Sequence, residues 1–300
     1  ATTAPIVLAP AMNQAMWANA AVQANRALLE ARGMRFLGPA TGDQACGETG
    51  PGRMLEPNDI AAALLEQTGR LRVRPFNGLK VVITAGPTRE PIDPVRYITN
   101  RSSGKMGFAV AAAAREAGAD VVLVTGPVSL PTPAAIRRID VETAEQMYDK
   151  VHDEIGGAHI FIACAAVSDY RPRDVAEQKI KRSAAEMDLA LVRSRDTLAS
   201  VAALPRAPFT VGFAAETHDV AAHARDKLER KRIDMIAANQ VGPDCGFDRE
   251  TNALTVFWAG GGELALGEGG KGQLARRLVE VVAERYREAR TNKKTSPRAV

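Results

Sequence analysis

Short apolar runs alternate with Ala-rich or amphipathic stretches along most of the chain. Residues 81–83 form one such run, which stops at Gly86-Pro87, and residues 121–124 form another, which stops at Gly126-Pro127. Short, continuous and bounded by turn residues, both read as buried strands. Between them residues 108–116 are Ala-rich without a breaker, and Gly118 sits where a left-handed C-cap would end a helix. Strand, loop, helix and strand predict a right-handed crossover in a parallel sheet. Further along, Ala144, Met147, Val151 and Ile155 recur at helical spacing. Strands are expected over 159–167, 209–213 and 234–238, with helices over 197–203 and 220–232. Residues 253–258 and 263–266, joined through Gly260-Gly261-Gly262, read as a hairpin whose pattern suits an exposed or dimer-forming ribbon. An amphipathic helix over 274–290 and a polar, basic, disordered tail over 291–300 complete the reading.

Ahead of this unit the pattern predicts a strand at 6–8, a helix over 18–31, a strand at 34–37, a Gly/Pro-rich loop over 38–52 and a helix over 57–67. Two strands and two helices leave a sheet edge unpaired and cannot close a core alone. Residues 1–70 therefore read as the C-terminal portion of a larger domain. A basic linker over 71–78 separates them from the main domain, 79–290.

Composition narrows the class. Three hundred residues with 46% hydrophobic content suit about two domains with real cores. The apolar runs fall far short of the roughly 18 residues that a membrane span needs, so a cytoplasmic protein is expected. Cys46, Cys164 and Cys245 lie far apart with no CxxC, which argues for reduced thiols and against a zinc site. The net charge of +4, from 39 basic and 35 acidic residues, suits anionic small substrates and is too even for a nucleic-acid-binding stripe.

The candidate chemistry lies at strand ends. Strand-to-helix loops usually take about 2–6 residues, and the one over 86–104 is far longer. It leaves the C-terminal end of a parallel strand, where such sheets bind ligands. It carries Arg96 and Asn100, and Gly104-Lys105-Met106-Gly107 then opens a helix whose free N–H groups favour phosphate. Neither GxGxxG nor GK[ST] is present, so neither familiar phosphate motif applies. Asp169 follows the strand over 159–167, where a carboxylate could serve a ribose hydroxyl, an amino group or a hydrated metal, or simply cap a turn. Residues 177–182, EQKIKR, hold Lys179 in a cationic run that reads equally as a solvated face. Lys227 and Lys231, four apart on one helix face, could reach one polyphosphate.

The string AGPTREPIDPVRYITNRSSGKMG over 85–107 resembles the signature of bacterial phosphopantothenate-cysteine ligase, the ligase half of a bifunctional coenzyme A biosynthesis flavoprotein. The resemblance implies a Rossmann-like parallel sheet with helices on both faces and a C-terminal β-hairpin. It implies CTP-dependent joining of 4'-phosphopantothenate to L-cysteine through an acyl-cytidylate, with Mg2+ and release of pyrophosphate. Asn100 would then be the amide donor of the second step, Arg96 would hold substrate charge, and Lys179 would attend the triphosphate. Arg182 stands where the family has a further lysine. The backbone of Ala163, Cys164 and Ala165 and the side chain of Asp169 would surround the nucleotide. Arg195, Asp196, Thr197 and Leu198 occupy the place of the family's NPDI motif, with Asp196 the identical residue. Phe213 would pack on the pyrimidine and Lys227 and Lys231 would meet the phosphates. The metal ligands are left open.

PAMNQAMW over 10–17 and ACGETGPGRM over 45–54 resemble the substrate motif and lid of phosphopantothenoylcysteine decarboxylase, an FMN enzyme. Asn13 would hold the substrate carboxylate and Cys46 would donate the proton. That family's flavin-binding glycine turn and catalytic histidine lie upstream of the asparagine motif, and only twelve residues precede Asn13. The expectation is a partial flavodoxin-like segment that does not decarboxylate by itself. The resemblance further implies a homodimer of the ligase domain, a higher homo-oligomer when the decarboxylase half is complete, and no membrane or nucleic-acid partner. A nicotinamide-dependent oxidoreductase and a non-catalytic flavoprotein scaffold are the competing readings.

Overall fold

A computed structural model describes residues 6–43, 47–67, 74–181, 187–216, 219–240 and 251–295. The chain divides into two compact units, Ala1–Val73 and Arg74–Val300.

In the first unit, β1 (Val7–Leu8) leads to α1 (Gln14–Ala18), α2 (Ala20–Ala31), β2 (Arg35–Phe36), β3 (Ala40–Asp43), β4 (Thr49–Arg53) and α3 (Pro57–Gln67). β1 pairs in parallel with β2, and β3 pairs antiparallel with β4. The helix expected over 18–31 is α2, and the short helix α1 precedes it. Asn19 ends α1, and its side chain accepts from the Ala21 amide at 2.9 Å to cap α2, which is what asparagine does better than continuing a helix. The loop expected over 38–52 contains the β3–β4 hairpin, whose Gly- and Pro-rich strands carry no hydrophobic alternation to betray them.

The second unit runs β5 (Lys80–Ala85), β6 (Arg89–Pro91), β7 (Tyr97–Thr99), α4 (Lys105–Glu116), β8 (Asp120–Thr125), β9 (Arg137–Asp140), α5 (Ala144–Glu154) and β10 (Ile160–Ala163). It continues with β11 (Tyr170–Pro172), β12 (Leu191–Arg193), α6 (Thr197–Ala202), β13 (Phe209–Glu216), α7 (Val220–Lys231), β14 (Met235–Gln240), β15 (Thr251–Trp258), β16 (Gly262–Gly270) and α8 (Lys271–Thr295). One eight-stranded sheet has the order β16-β15-β14-β13-β10-β5-β8-β9. The six strands from β14 to β9 are parallel, and the β15–β16 pair joins antiparallel at one edge.

Because the central strands are covered on both faces, they read as continuous apolar runs. Val81, Ile83, Leu123, Ile160 and Ile162 pack on one face with residues of α4 and α8. Val82, Val122, Val124 and Phe161 pack on the other with residues of α5, α6 and α7. Gly107 lets α4 lie close on β5, since a Cβ there would come within 2.6 Å of that of Ala85. The α/β class, the parallel sheet with helices on both faces and the C-terminal hairpin are as expected.

Three local expectations need correcting. The hairpin is exposed only along its outer strand: β16 is mostly exposed, Leu264 included, whereas Leu254, Val256 and Phe257 of β15 and Leu266 are buried, and β15 extends the sheet through β14. The linker expected over 71–78 ends early, because Phe76 is fully buried in the core and donates its amide to the Ala117 carbonyl at 3.0 Å. Helix α8 continues to Thr295 where a disordered tail was expected from Thr291. Residues 296–300 lie outside the described residues. Among the described residues no helix is long and apolar enough to cross a membrane.

Candidate active site

The chain steps from β5 outward through β8 and β9, then returns to the other side of β5 with β10. That reversal creates the crevice in which doubly wound sheets bind ligands. Here its floor is sewn shut: Ala166 donates to the Gly86 carbonyl at 2.9 Å, Thr88 donates to the Ala166 carbonyl at 3.3 Å, and Ser168 donates to the buried Thr88 hydroxyl at 3.0 Å. Two cavities open beyond this seam.

The first, of about 400 Å³, lies over the ends of β10 and β13 and is lined by Ala163, Ala165, Asp169, Arg195, Asp196, Thr197, Leu198, Phe213, Lys227 and Lys231 among others. The second, of about 530 Å³, is lined by residues 100–107 and by Cys164, Asn239, Asn252 and Lys271. Ala165, Val167, Asp169, Phe213 and Lys227 line both, so the two are chambers of one cleft.

Asp196 caps α6 by accepting from the Ala199 amide at 3.0 Å, and its other oxygen meets Lys231 at 2.8 Å. Burial opposes its ionisation, but the Ala199 amide and Lys231 outweigh that and hold the carboxyl below the usual aspartate range. Lys227 donates to the Phe213 carbonyl at 2.8 Å. Burial, and then Lys231 beside it, push its ammonium below the usual lysine range against the pull of Glu216, Asp169 and Asp196. Phe213 is half-buried at the edge shared by the chambers.

Four buried side-chain polar atoms among the described residues have no hydrogen-bond partner, and the hydroxyls of Ser168, Ser194 and Thr197 are three of them. All three residues line the first chamber. Such orphans are rare and each costs about 1–3 kcal/mol, so their convergence on one cavity marks a place where a polar ligand completes the bonding. Ser168 and Ser194 escaped the sequence reading because serine after a strand or before a helix looks like a turn or cap.

Asn100 lines the second chamber, where its amide donates to the carbonyls of Val167 at 3.0 Å and Ala166 at 3.4 Å. Burial pushes the Cys164 thiol up to about 12, which leaves it protonated. Arg195 turns toward α5, stacking 3.4 Å from the Tyr148 ring centroid and pairing with Glu145 at 2.7 Å. Arg96 lines neither chamber; it pairs with Asp93 and donates to the Ile180 carbonyl at 2.8 Å. Lys179 is exposed beside Ile180 and also lines neither chamber. In the first unit Asn13 accepts from the Met16 amide at 2.8 Å as the cap of α1. Cys46 and Arg182 lie outside the described residues.

The family described as DNA/pantothenate metabolism flavoprotein C-terminal domain matches residues 76–286, and the flavoprotein family matches residues 1–69. The coenzyme A biosynthesis bifunctional protein CoaBC of Vibrio vulnificus is 51% identical over 286 residues, covering 94% of this chain and 70% of that protein.

The chain belongs to the CoaBC family.

CoaBC of Escherichia coli K12 is 48% identical over 296 residues, covering 96% of this chain and 71% of that protein. The solved C-terminal domain of a CoaBC protein superposes with a TM-score of 0.62 at 34% identity, covering 72% of this chain and 99% of that domain. A Cab2 mutant solved with phosphopantothenate-cysteine shares the fold, with a TM-score of 0.61 at 16% identity. Membership of CoaBC places the chain among enzymes of coenzyme A biosynthesis, with a flavoprotein segment ahead of the domain that holds the cleft.

Proposed function

We propose that the second unit is a CTP-dependent ligase that joins 4'-phosphopantothenate to L-cysteine through an acyl-cytidylate. The observation that carries this reading is the first chamber, where three orphan hydroxyls, a half-buried phenylalanine and two lysines surround one space. Hydroxyls suit the polar edges of a nucleoside, the ring suits the face of its base, and the lysines suit its phosphates. The nucleotide would lie along Ala163, Cys164, Ala165 and Asp169, with Asp196, Thr197 and Leu198 at its far side.

A carboxylate is a poor partner for a triphosphate because both are anionic. Lys227, Lys231 and Lys179 would neutralise the approach so that the carboxylate oxygen attacks the α-phosphorus and pyrophosphate leaves. Among the described residues no group of three or more His, Cys, Asp or Glu is placed to hold a metal. Mg2+ commonly binds through one or two carboxylates and the substrate phosphates, and Asp169, which lines both chambers, is the carboxylate suited to that. In the second chamber the N-terminus of α4 would take the 4'-phosphate, since Gly104-Lys105-Met106-Gly107 line it. The cysteine amine then attacks the acyl carbon, CMP leaves, and the Asn100 amide, held in the free protein by the Ala166 and Val167 carbonyls beyond β10, would turn an N–H to the developing oxyanion.

Decarboxylation of the product would belong to the first unit, with Asn13 and Cys46 in the roles the resemblance implies and FMN as cofactor. The described residues make no flavin cradle by themselves: none of the unpartnered buried polar atoms lies in this unit, and Asn13 is occupied as a helix cap. Flavin chemistry therefore enters none of the steps above. A homodimer of the second unit would form through the β6–β7 and β11–β12 ribbons, which leave Val95 58%, Tyr97 46%, Tyr170 49% and Leu191 44% exposed. Sedimentation at twice the chain mass is expected, and a monomer mass would exclude it. With water-soluble, charged substrates the reaction belongs in the cytoplasm.

Pyrophosphate release on mixing the protein with Mg-CTP and 4'-phosphopantothenate, with and without L-cysteine, tests the reading. Sustained turnover only with cysteine is expected; no CTP binding at all would return the second unit to a scaffold role.

A further inference from the structure

We propose that Asp93 and Arg96 are positioning residues that seat the Lys179-bearing segment beside the cleft, an inference that rests on the ligase reading of Lys179.

The segment leaves and re-enters the cleft at its rim. Asp169 precedes β11, Arg193 ends β12, and Ser194 donates to the Asp169 carbonyl at 2.8 Å to close the base of that ribbon. Arg173 donates to the Ala190 carbonyl at 2.9 Å one step beyond the ribbon. Residues 173–181 follow, mostly exposed, and one buried side chain anchors them.

That anchor is Asp93. Its side chain is fully buried and accepts from the amides of Val95 at 2.8 Å, Arg96 at 2.9 Å and Ile180 at 3.1 Å. The Arg96 guanidinium pairs with the same carboxylate, from Nε at 2.9 Å and from its terminal nitrogen, and reaches on to the Ile180 carbonyl at 2.8 Å. Both backbone polar groups of Ile180, the residue next to Lys179, are therefore held by the Asp93–Arg96 ion pair, with Asp93 lying 87 positions away in sequence. Ala176 adds a bond to the Ile92 carbonyl at 3.0 Å.

A surface loop needs no buried carboxylate. A buried charge is tolerated only when paired and hydrogen-bonded, and removing one partner is strongly destabilising locally. Arg96 satisfies Asp93 and holds its carboxyl well below the usual range, so the anchor stays charged at every working pH. With the backbone of Ile180 fixed, less of the neighbouring Lys179 remains to be ordered when a polyphosphate arrives. Small misplacements of such a group are worth about 10²-fold in rate. Arg96 thus acts through Lys179, and its place outside both chambers follows from that work.

Two readouts test this on the whole chain. Asp93→Asn should lower CTP-dependent pyrophosphate release about 10- to 100-fold with the melting transition retained. In a Lys179→Gln background the same change should have little further effect, because a positioning residue has nothing left to position. Cleavage by trypsin after Lys179 and Lys181 should rise at least about tenfold in Asp93→Asn, since cleavage follows the population of opened segment. If Asp93→Asn does not fold, Arg96→Lys, which leaves Asp93 its three amide donors, carries the same tests. Full rate in Asp93→Asn, equal losses in both backgrounds, or unchanged cleavage would each overturn the proposal. A wild-type protein that releases no pyrophosphate overturns the ligase reading and the catalytic half of this proposal together, while the tryptic rates still decide whether the anchor exists.

Discussion

The two units differ in what they bury. Among the described residues of the first, Trp17 at 9% exposure is the sole buried hydrophobic side chain, whereas Met16, Leu28 and Met54 are each about half exposed. The second unit buries the rest of the core, including Phe76, Phe161, Met147 and Leu278 at full depth. The first unit's described strands are two to five residues long and pair only two by two, so the contrast comes from sheet size. A two-stranded β1–β2 pair offers no face to cover, while an eight-stranded sheet offers two. Catalysis that needs fixed geometry is therefore expected from the second unit on its own residues.

The largest expected effect follows from this. Lys179→Gln should cut pyrophosphate release to a small, still measurable residual rate, and Asn100→Asp should lower ligation by about 10²- to 10³-fold, as loss of an oxyanion donor does. Asn13→Ala, in the first unit, should leave the ligation rate unchanged. A comparable loss in Asn13→Ala, followed by the same assay, would break the comparison.

Next in size is core truncation. Phe161→Ala should cost about 3–5 kcal/mol in denaturant unfolding, since Phe161 is fully buried at mid-sheet. Trp17→Ala should leave the main transition in place.

The orphan hydroxyls sharpen the picture within the second unit. Ser168→Ala and Thr197→Val each remove an unpartnered buried hydroxyl, so the free protein should melt no lower than wild type. CTP affinity should nevertheless fall by about 1–3 kcal/mol per hydroxyl. Calorimetric melting alongside titration with CTP checks both halves, and a drop in melting temperature without loss of affinity would assign these hydroxyls to structure.

The smallest effect is one of pH. Lys227 has a folded pKa below its unfolded value, so between the two the unfolded chain binds more protons and stability rises with pH. Nucleotide affinity runs the other way, because the phosphates need the ammonium. CTP affinity should weaken as pH rises below the ordinary lysine value of about 10.4, and Lys227→Met should flatten that dependence.

Much of the second unit was legible because buried parallel strands are continuous apolar runs; β5, β8, β10 and β13 stand out for that reason alone. The short ribbons did not. β6–β7 and β11–β12 are three residues a strand, charged and proline-bearing, and are held by contacts far away in sequence such as the Asp93 anchor. β9, with the sequence RRID, is a polar edge strand with one apolar position. For the site, Lys227 and Lys231 were legible from their spacing, and Asp169 from its place after a strand. The resemblance implied that Arg96 holds substrate charge, and only the fold reveals that its guanidinium meets Asp93 and Ile180. Ser168 and Ser194 carried no signal, since an orphan hydroxyl is a property of packing.

The central claim is that the cleft of the second unit activates a carboxylate as an acyl-nucleotide. Mass spectrometry of the Asn100→Asp variant, mixed with Mg-CTP, 4'-phosphopantothenate and L-cysteine, tests it most directly. The account predicts acyl-cytidylate accumulating on the protein with about one equivalent of pyrophosphate, while wild type passes on to the cysteine amide. Absence of any acyl-cytidylate in the variant, with amide still formed by wild type, would contradict it.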